Sequence, residues 1–230
     1  MIAGNRQSEL IELLATIPYF KDLKEELLGR IGAAMSLRSY QSGEVIFFEG
    51  DEGHSLYIVR DGFLKAVKIS IEGREQVLQV IGPREVFGAV AVFHSSENPA
   101  TIIALEPSEV YSIDQETMQR LLESSSELAA LLIDNLASRV LHLIKLVEDL
   151  SLRSVEARLA RLLIESGEQG VVRRHRWTTQ AEMAAQLGTV PDVLNRSLRN
   201  FVDEGVIELD RHQITIVDPE QLRSKAMLEP

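Results

Sequence analysis

The chain has no cysteine in its 230 residues. That absence excludes disulfides, thiolate metal sites, iron–sulfur clusters and thiol nucleophiles. Histidine is scarce, five in all, and His54, His94, His142, His175 and His212 stand far apart. Neither His54 nor His94 has a second histidine two residues away, so the metal centre of a cupin-like barrel enzyme is not expected. There is no Ser/His/Asp set and no Walker-type glycine loop, and no residue is assigned a catalytic role. The opening residues MIAGNRQSEL lack the basic and apolar regions of a secretory signal. The most apolar long segment, 128–147, is interrupted by Asp134, Asn135, Arg139 and Lys145, so no membrane span is expected and the protein is expected in the cytoplasm. An excess of positive charge is also missing, with a net charge of −11.

What is present is ordinary for a globular protein: 45% hydrophobic and 26% charged residues, with length enough for two cores. The charge is unevenly spread. Residues 1–150 carry 13 basic against 23 acidic side chains, whereas 170–230 carry 8 against 9. A basic face on the C-terminal part is therefore compatible with the acidic total, and Arg173, Arg174, Arg176, Arg196 and Arg199 could form it. So modest a patch neutralises few phosphates, so non-specific binding should be weak.

Along the chain the hydrophobic period changes twice. Leu10, Ile11, Leu14 and Ile17 predict a short helix ended by Pro18, and a second is expected after Asp22, with Glu25 as its capping-box partner. From Tyr40 to Ile113 short β-rich segments alternate with turn signals. The strands are expected at 45–48, 56–59, 63–69, 76–81, 101–105 and 110–113, separated by glycines at 43, 50, 53, 62, 73 and 82. Such spacing implies an all-β barrel or roll. A helix near 115–122 is followed by a long one from about Ser126 to Leu150. Its apolar stripe is Ala129, Leu132, Leu136, Val140, Leu143, Val147 and Leu150, with Ile133, Ile144 and Leu146 on a second face. A helix apolar on two faces needs two partners, the roll and the same helix of a second subunit, and a parallel homodimer is expected. Ser151 to Ser154 interrupts the stripe and is the expected hinge. The polar loop GEQGVVRRHRW then leads on, with Trp177 as a packing anchor.

Residues 179–199, TQAEMAAQLGTVPDVLNRSLR, read as two helices hinged at Gly188, which a tight turn needs for its tolerance of positive φ. Met183, Ala184 and Leu187 share one face of the first helix. Val193, Leu194, Leu198 and Phe201 share one face of the second, and Pro191 lies in its first turn, where a missing N–H costs nothing. Two short strands follow at 206–209 and 213–217. A helix-turn-helix followed at once by a hairpin is a winged helix, and DNA is its expected partner.

The sequence SGEVIFFEGDEGHSLYIVRDGFLKAV, the segment PREVFGAVAVF and the unit QAEMAAQLGTVPDVLNRSLRNFVDEGVI, in this order, resemble the CRP/FNR family of transcription regulators over nearly the whole chain. The resemblance implies an α+β protein: an N-terminal jelly-roll-like β-roll sensor domain over 1–125, a dimerisation helix over 126–150 and a winged-helix DNA-binding domain over 151–230. It implies a homodimer on double-stranded palindromic DNA, with RNA polymerase as a partner and a small-molecule effector. In the family's DNA-reading unit, Arg196 matches the base-reading arginine and Asp192 stands where Glu is frequent, while another arginine corresponds to Pro191. Thr189, Val190, Pro191, Asp192, Asn195 and Arg196 are thus expected at the major groove, and Thr179, Gln180 and Arg199 at phosphates.

The effector pocket implied by the resemblance is formed by Gly88, Ala89, Val90, Asn98, Pro99, Ala100, Leu143 and Val147. Members that bind cyclic AMP have Glu where this chain has Ala89, and an Arg-Ser pair that corresponds to Asn98 and Pro99. Their polar helix residues correspond to Leu143 and Ile144. Cyclic AMP is therefore not the expected effector, since its phosphate would lack a charge-assisted contact. His94 matches the haem-ligating histidine of the family's CO sensor, although that protein's cysteine ligand corresponds to Val92, and a haem held by His94 is an alternative reading. A sensor or enzyme whose winged helix contacts only proteins is another.

Overall fold

A computed structural model of the chain describes residues 10–17, 20, 23–94, 97–167 and 169–227. They fall into two compact units, one within 1–68 and 78–142, the other within 69–77 and 143–230. The division between the units runs through the long helix, between His142 and Leu143.

The first unit begins with a helical stretch at 10–16, here α1, and helix α2, Glu25–Ala33. The residue that begins α2 is Lys24, which provides no side-chain cap. The expected Asp22 lies outside the described residues. Two antiparallel four-stranded sheets follow. In one, β1 (Ser36–Tyr40), β8 (Ser108–Asp114), β3 (Ser55–Asp61) and β6 (Val86–Phe87) lie in that order. In the other the order is β2 (Val45–Phe47), β7 (Thr101–Ala104), β4 (Leu64–Ile69) and β5 (Glu75–Ile81). Two strands were absent from the sequence reading. β1 is mostly exposed and polar, and β6 is two residues long, so neither carries an alternation long enough to detect.

The unpatterned run LYIV in β3 has a direct cause. Leu56 and Ile58 point into a core shared with Leu14, Ile31 and Met118, whereas Val59 points into the roll with Leu64, Ile81 and Val110. The strand is buried on both faces, and period 2 is hidden because both faces are apolar. Across the ladder, Leu56 is opposite Ile113 and Val59 opposite Val110, so β8 serves the same two cores. Inside the roll Tyr57 stacks on Phe87 at 4.9 Å, and burial pushes the Tyr57 phenol above its ordinary pKa. Gly43, Gly50, Gly62 and Gly73 all have positive φ, as their turn positions require.

Helix α3 (Ala89–His94) follows β6, and α4 (Gln115–Ser124) follows β8. Asp114 caps α4, its carboxylate accepting from the Thr117 N–H at 2.9 Å. Helix α5 is continuous from Ser126 to Leu152. The expected single stripe is split along it. Leu128 and Leu132 are buried in the first unit's core and Leu136 packs against it. Ile133, Val140, Ile144 and Val147 are 67%, 55%, 57% and 63% exposed. Ile133 and Ile144 thus join Val140 and Val147 on one outward seam, not a separate face.

In the second unit α6 (Val155–Ser166), α7 (Gln180–Gln186), α8 (Pro191–Asp203) and α9 (Pro219–Lys225) surround a core of Leu159, Leu163, Leu194, Phe201 and Ile214. The wing has three strands, in the order β10 (Ile207–Leu209), β11 (Gln213–Ile216), β9 (Val171–Arg173). β9 falls in the segment expected to be a polar loop. Its three residues gain their β structure from pairing with β11, Val172 opposite Ile214, which is a non-local cause. The break between α5 and α6 falls at Arg153 and Ser154, within the expected 151–154. Ser151 and Leu152 are the end of α5, and Ser154 caps α6 by accepting from the Ala157 N–H at 3.2 Å. No described helix is long and apolar enough to cross a membrane.

Candidate nucleic-acid interface

Thr179 starts α7. Its hydroxyl accepts from the Glu182 N–H at 3.1 Å, satisfying a backbone donor that the helix itself cannot. Met183 and Ala184 are buried, as is Leu187, which closes the helix. Gly188 then takes φ +62, and the Thr189 N–H returns to the Ala184 carbonyl at 2.9 Å. Val190 precedes Pro191 at the start of α8 and has no polar side chain to cap it. Leu194, Ser197, Leu198 and Phe201 are buried, spaced by three and four, and they fix which face of α8 turns outward.

That outward face collects the predicted side chains. Asp192, Arg196 and Arg199 are exposed, and Asn195 is half-buried beside them. They line one groove of about 520 Å³ together with Asn200 and Asp203. Among the described residues neither Arg196 nor Arg199 has an ion-pair or hydrogen-bond partner. Among the described residues Arg196 is thus not held in a structural ion pair. Asn195 is partly committed, since its Nδ2 donates to Gln180 Oε1 at 3.1 Å. This bond ties the start of α7 to α8. Val190 and Pro191 are exposed and Thr189 half-buried in the turn.

Asn200 and Asp203 were not singled out from the sequence. They continue a polar row at 192, 195, 196, 199, 200 and 203, whose helical spacing was available as a signal. Asn200 Nδ2 also donates to Glu156 Oε1 at 2.8 Å. Of the arginines proposed for a basic face, Arg173 and Arg176 are exposed, but Arg174 turns inward and its Nη2 donates to the Thr178 carbonyl at 3.3 Å. Trp177 stacks on His175 at 5.2 Å.

The predicted effector residues are not all brought together. Gly88 has φ +84, and a Cβ there would lie 2.6 Å from the Ser55 carbonyl oxygen, so it is fixed as glycine by the turn into α3. Ala89 is buried and Val90 is 47% exposed. Asn98 and Pro99 line a cavity of about 860 Å³ with Glu49, Glu52, His54 and Lys68, which Gly88, Ala89, Val90 and Ala100 do not line. Leu143 and Val147 belong to the other unit and lie exposed on α5. His94 ends α3, and its side chain is outside the described residues.

The lysine that lines the cavity is paired. Lys68 Nζ lies 2.6 Å from Glu49 Oε1, and His54 Nε2 3.2 Å from Glu52 Oε2. Asn98 is buried but neutral, and Ala89 offers no carboxylate. These residues supply no free guanidinium for a cyclic phosphate. Three carboxylates, Glu49, Glu52 and Glu97, around one paired lysine, Lys68, make an anion a poor fit.

Comparison with known proteins adds two family matches. The cyclic nucleotide-binding domain family matches residues 37–125, and the Crp-like helix-turn-helix domain family matches 157–225. The chain is 25% identical over 221 residues to a CRP-like cAMP-activated global transcriptional regulator of Mycobacterium tuberculosis, covering 94% of this chain and 99% of that one. It is 29% identical to the cyclic AMP receptor protein of Thermus thermophilus, covering 92% and 95%. In fold it is similar to FixK2 from Bradyrhizobium japonicum, with TM-score 0.76 and 18% identity over 85% of this chain and 99% of that one.

Proposed function

The chain belongs to the CRP/FNR family of DNA-binding transcription regulators, and from that premise we propose that it acts as a homodimer reading a palindromic site through α8. The observation that carries this reading is the unpartnered, exposed Arg196 on a helix whose opposite face is locked in the core. A free guanidinium there can donate twice to guanine O6 and N7. Arg199, three residues on, is placed for a phosphate, and Asp192 for cytosine N4. The exposed seam of α5 supports a second copy of the chain as partner, because a dimer along that seam sets two α8 helices on one face of the duplex. RNA polymerase is the partner proposed at the promoter.

A selection from random duplexes tests the reading. It should return a palindrome, and Arg196→Ala should lose about 1–3 kcal/mol on the selected site while non-specific binding is almost unchanged. An equal loss on every sequence would make Arg196 a phosphate contact. Failure to select any sequence would point instead to a winged helix that contacts proteins.

The effector proposed for the roll is a small molecule other than cyclic AMP. The two relatives named for cyclic AMP bear that property by name only here, and the pairing of Lys68 with Glu49 speaks against an anion. Cyclic AMP at about 1 mM should leave the melting temperature unmoved; a ligand at 100 times its Kd would add about 2.7 kcal/mol. A rise of several degrees would reverse this reading.

A further inference from the structure

The end of α5 holds a cluster of charges that DNA reading does not use. Arg153, one residue beyond the helix, has a side chain only 13% exposed. Its Nη1 donates to the carbonyls of Ala226 at 2.7 Å and Met227 at 3.3 Å, acceptors that the end of α9 leaves without helical partners. Its Nε lies 2.9 Å from Asp149 Oδ1, and its Nη2 2.9 Å from Glu148 Oε1. Asp149 also meets Arg161 Nη1 from α6 at 3.1 Å. Arg158 Nη1 closes the arrangement by donating to the carbonyls of Asp149 at 3.2 Å and Arg153 at 2.9 Å.

We propose that Arg153 is a positioning residue that fixes the half-site spacing the protein accepts, by fastening the last turns of α5 to α6 and α9 of the reading unit. The inference rests on the dimeric reading above. The guanidinium joins the end of α5, at Glu148 and Asp149, to Ala226 and Met227 at the end of α9, while α6 is held through Arg161 and Arg158; its planar fork fixes direction as well as distance, which a lysine could not do. Such partly buried ion pairs contribute little net stability but favour one geometry over others. Only two residues, Arg153 and Ser154, separate α5 from α6, and both are engaged. Spacing selectivity needs a stiff joint here. Adding one base pair between half-sites moves them about 3.4 Å apart and rotates one by roughly 34° about the duplex. A loose joint would follow that change, and a fastened one would not.

The test uses the full-length protein and duplexes carrying two copies of the selected half-site, with the spacer varied one base pair at a time, plus a duplex with a single half-site. Wild type should prefer one spacing over its neighbours by about tenfold or more. Arg153→Met should flatten that preference to within about threefold while the base preference within each half-site stays the same. Asp149→Asn, which keeps shape and removes the central charge, should flatten it too and serves if R153M does not fold. A wild-type preference retained by both variants, or an equal loss at all spacings with the ranking intact, overturns the positioning role alone. A wild type that binds every spacing equally, or one half-site as well as two, overturns the dimeric reading and this inference with it.

Discussion

At Thr179 one task of the hydroxyl is set by the fold and a second is expected from the resemblance. The family resemblance placed it at a phosphate, and the structure uses its oxygen to cap α7 through the Glu182 N–H. The two are compatible, since the oxygen accepts from the backbone while its proton remains free to donate. They separate by substitution. Thr179→Ala should cost about 1 kcal/mol of stability from the lost cap and weaken binding to all duplexes alike. Thr179→Ser should restore both. Restored stability without restored binding, measured by urea unfolding and duplex titration, would leave Thr179 a cap only. Gln180 and Asn195 show the same economy: the bond between them holds the start of α7 against α8, while Arg196 and Arg199 stay unpartnered on the outward face.

Helices α4, α6, α7 and α9 are fixed at their starts by short polar side chains. Asp114, Ser154, Thr179 and Asp218 each accept from an N–H three residues on. Asp114 adds a pH dependence. Its hydrogen bond from the Thr117 backbone, chiefly, holds its carboxyl below the ordinary range. A carboxyl lowered on folding adds stability that is complete above its unfolded pKa of about 3.9 and is lost as pH falls through the folded value. Asp114→Ala should therefore cost about 1 kcal/mol at neutral pH and less in acid. Urea titrations at about pH 7 and about pH 3 give the two gaps; a gap that widens in acid would contradict the cap as the source. Along α5 the outward residues 133, 140, 144 and 147 keep a near-heptad rhythm. That rhythm suits a second helix better than solvent.

For the whole molecule, exposure along α5 has a measurable consequence. Ile144 is 57% exposed in the single chain, so a lysine there should leave each subunit folded while placing like charges in the seam. Ile144→Lys should sediment as one chain at micromolar concentrations where wild type sediments as two, with nearly unchanged circular dichroism. A wild type that is single, with and without duplex, would remove the geometry on which palindromic reading depends. An acidic front part and a near-neutral reading unit also imply a shallow salt dependence, because Arg199 and its neighbours reach few phosphates.

The sequence alone determined what depends on neighbours a few residues apart. Gly188 marked the turn, Leu194, Leu198 and Phe201 marked the buried face of α8, and the glycines at 43, 50, 62 and 73 marked the roll's turns, because helical period and positive φ are local properties. Arg196 was singled out by the family resemblance, and counting along one helix places it away from that buried face. Tertiary structure decided the rest. β1, β6 and β9 are strands because other strands pair with them, and pairing across 76 residues, as between Ser36 and Ser112, leaves no local trace. The faces of α5 separated only when the core took Leu128 and Leu132 and left Ile133 and Val140 outside. The same holds for Arg153, which looks like a hinge residue in sequence and becomes a fastening only where folding brings Ala226 and Asp149 within its reach.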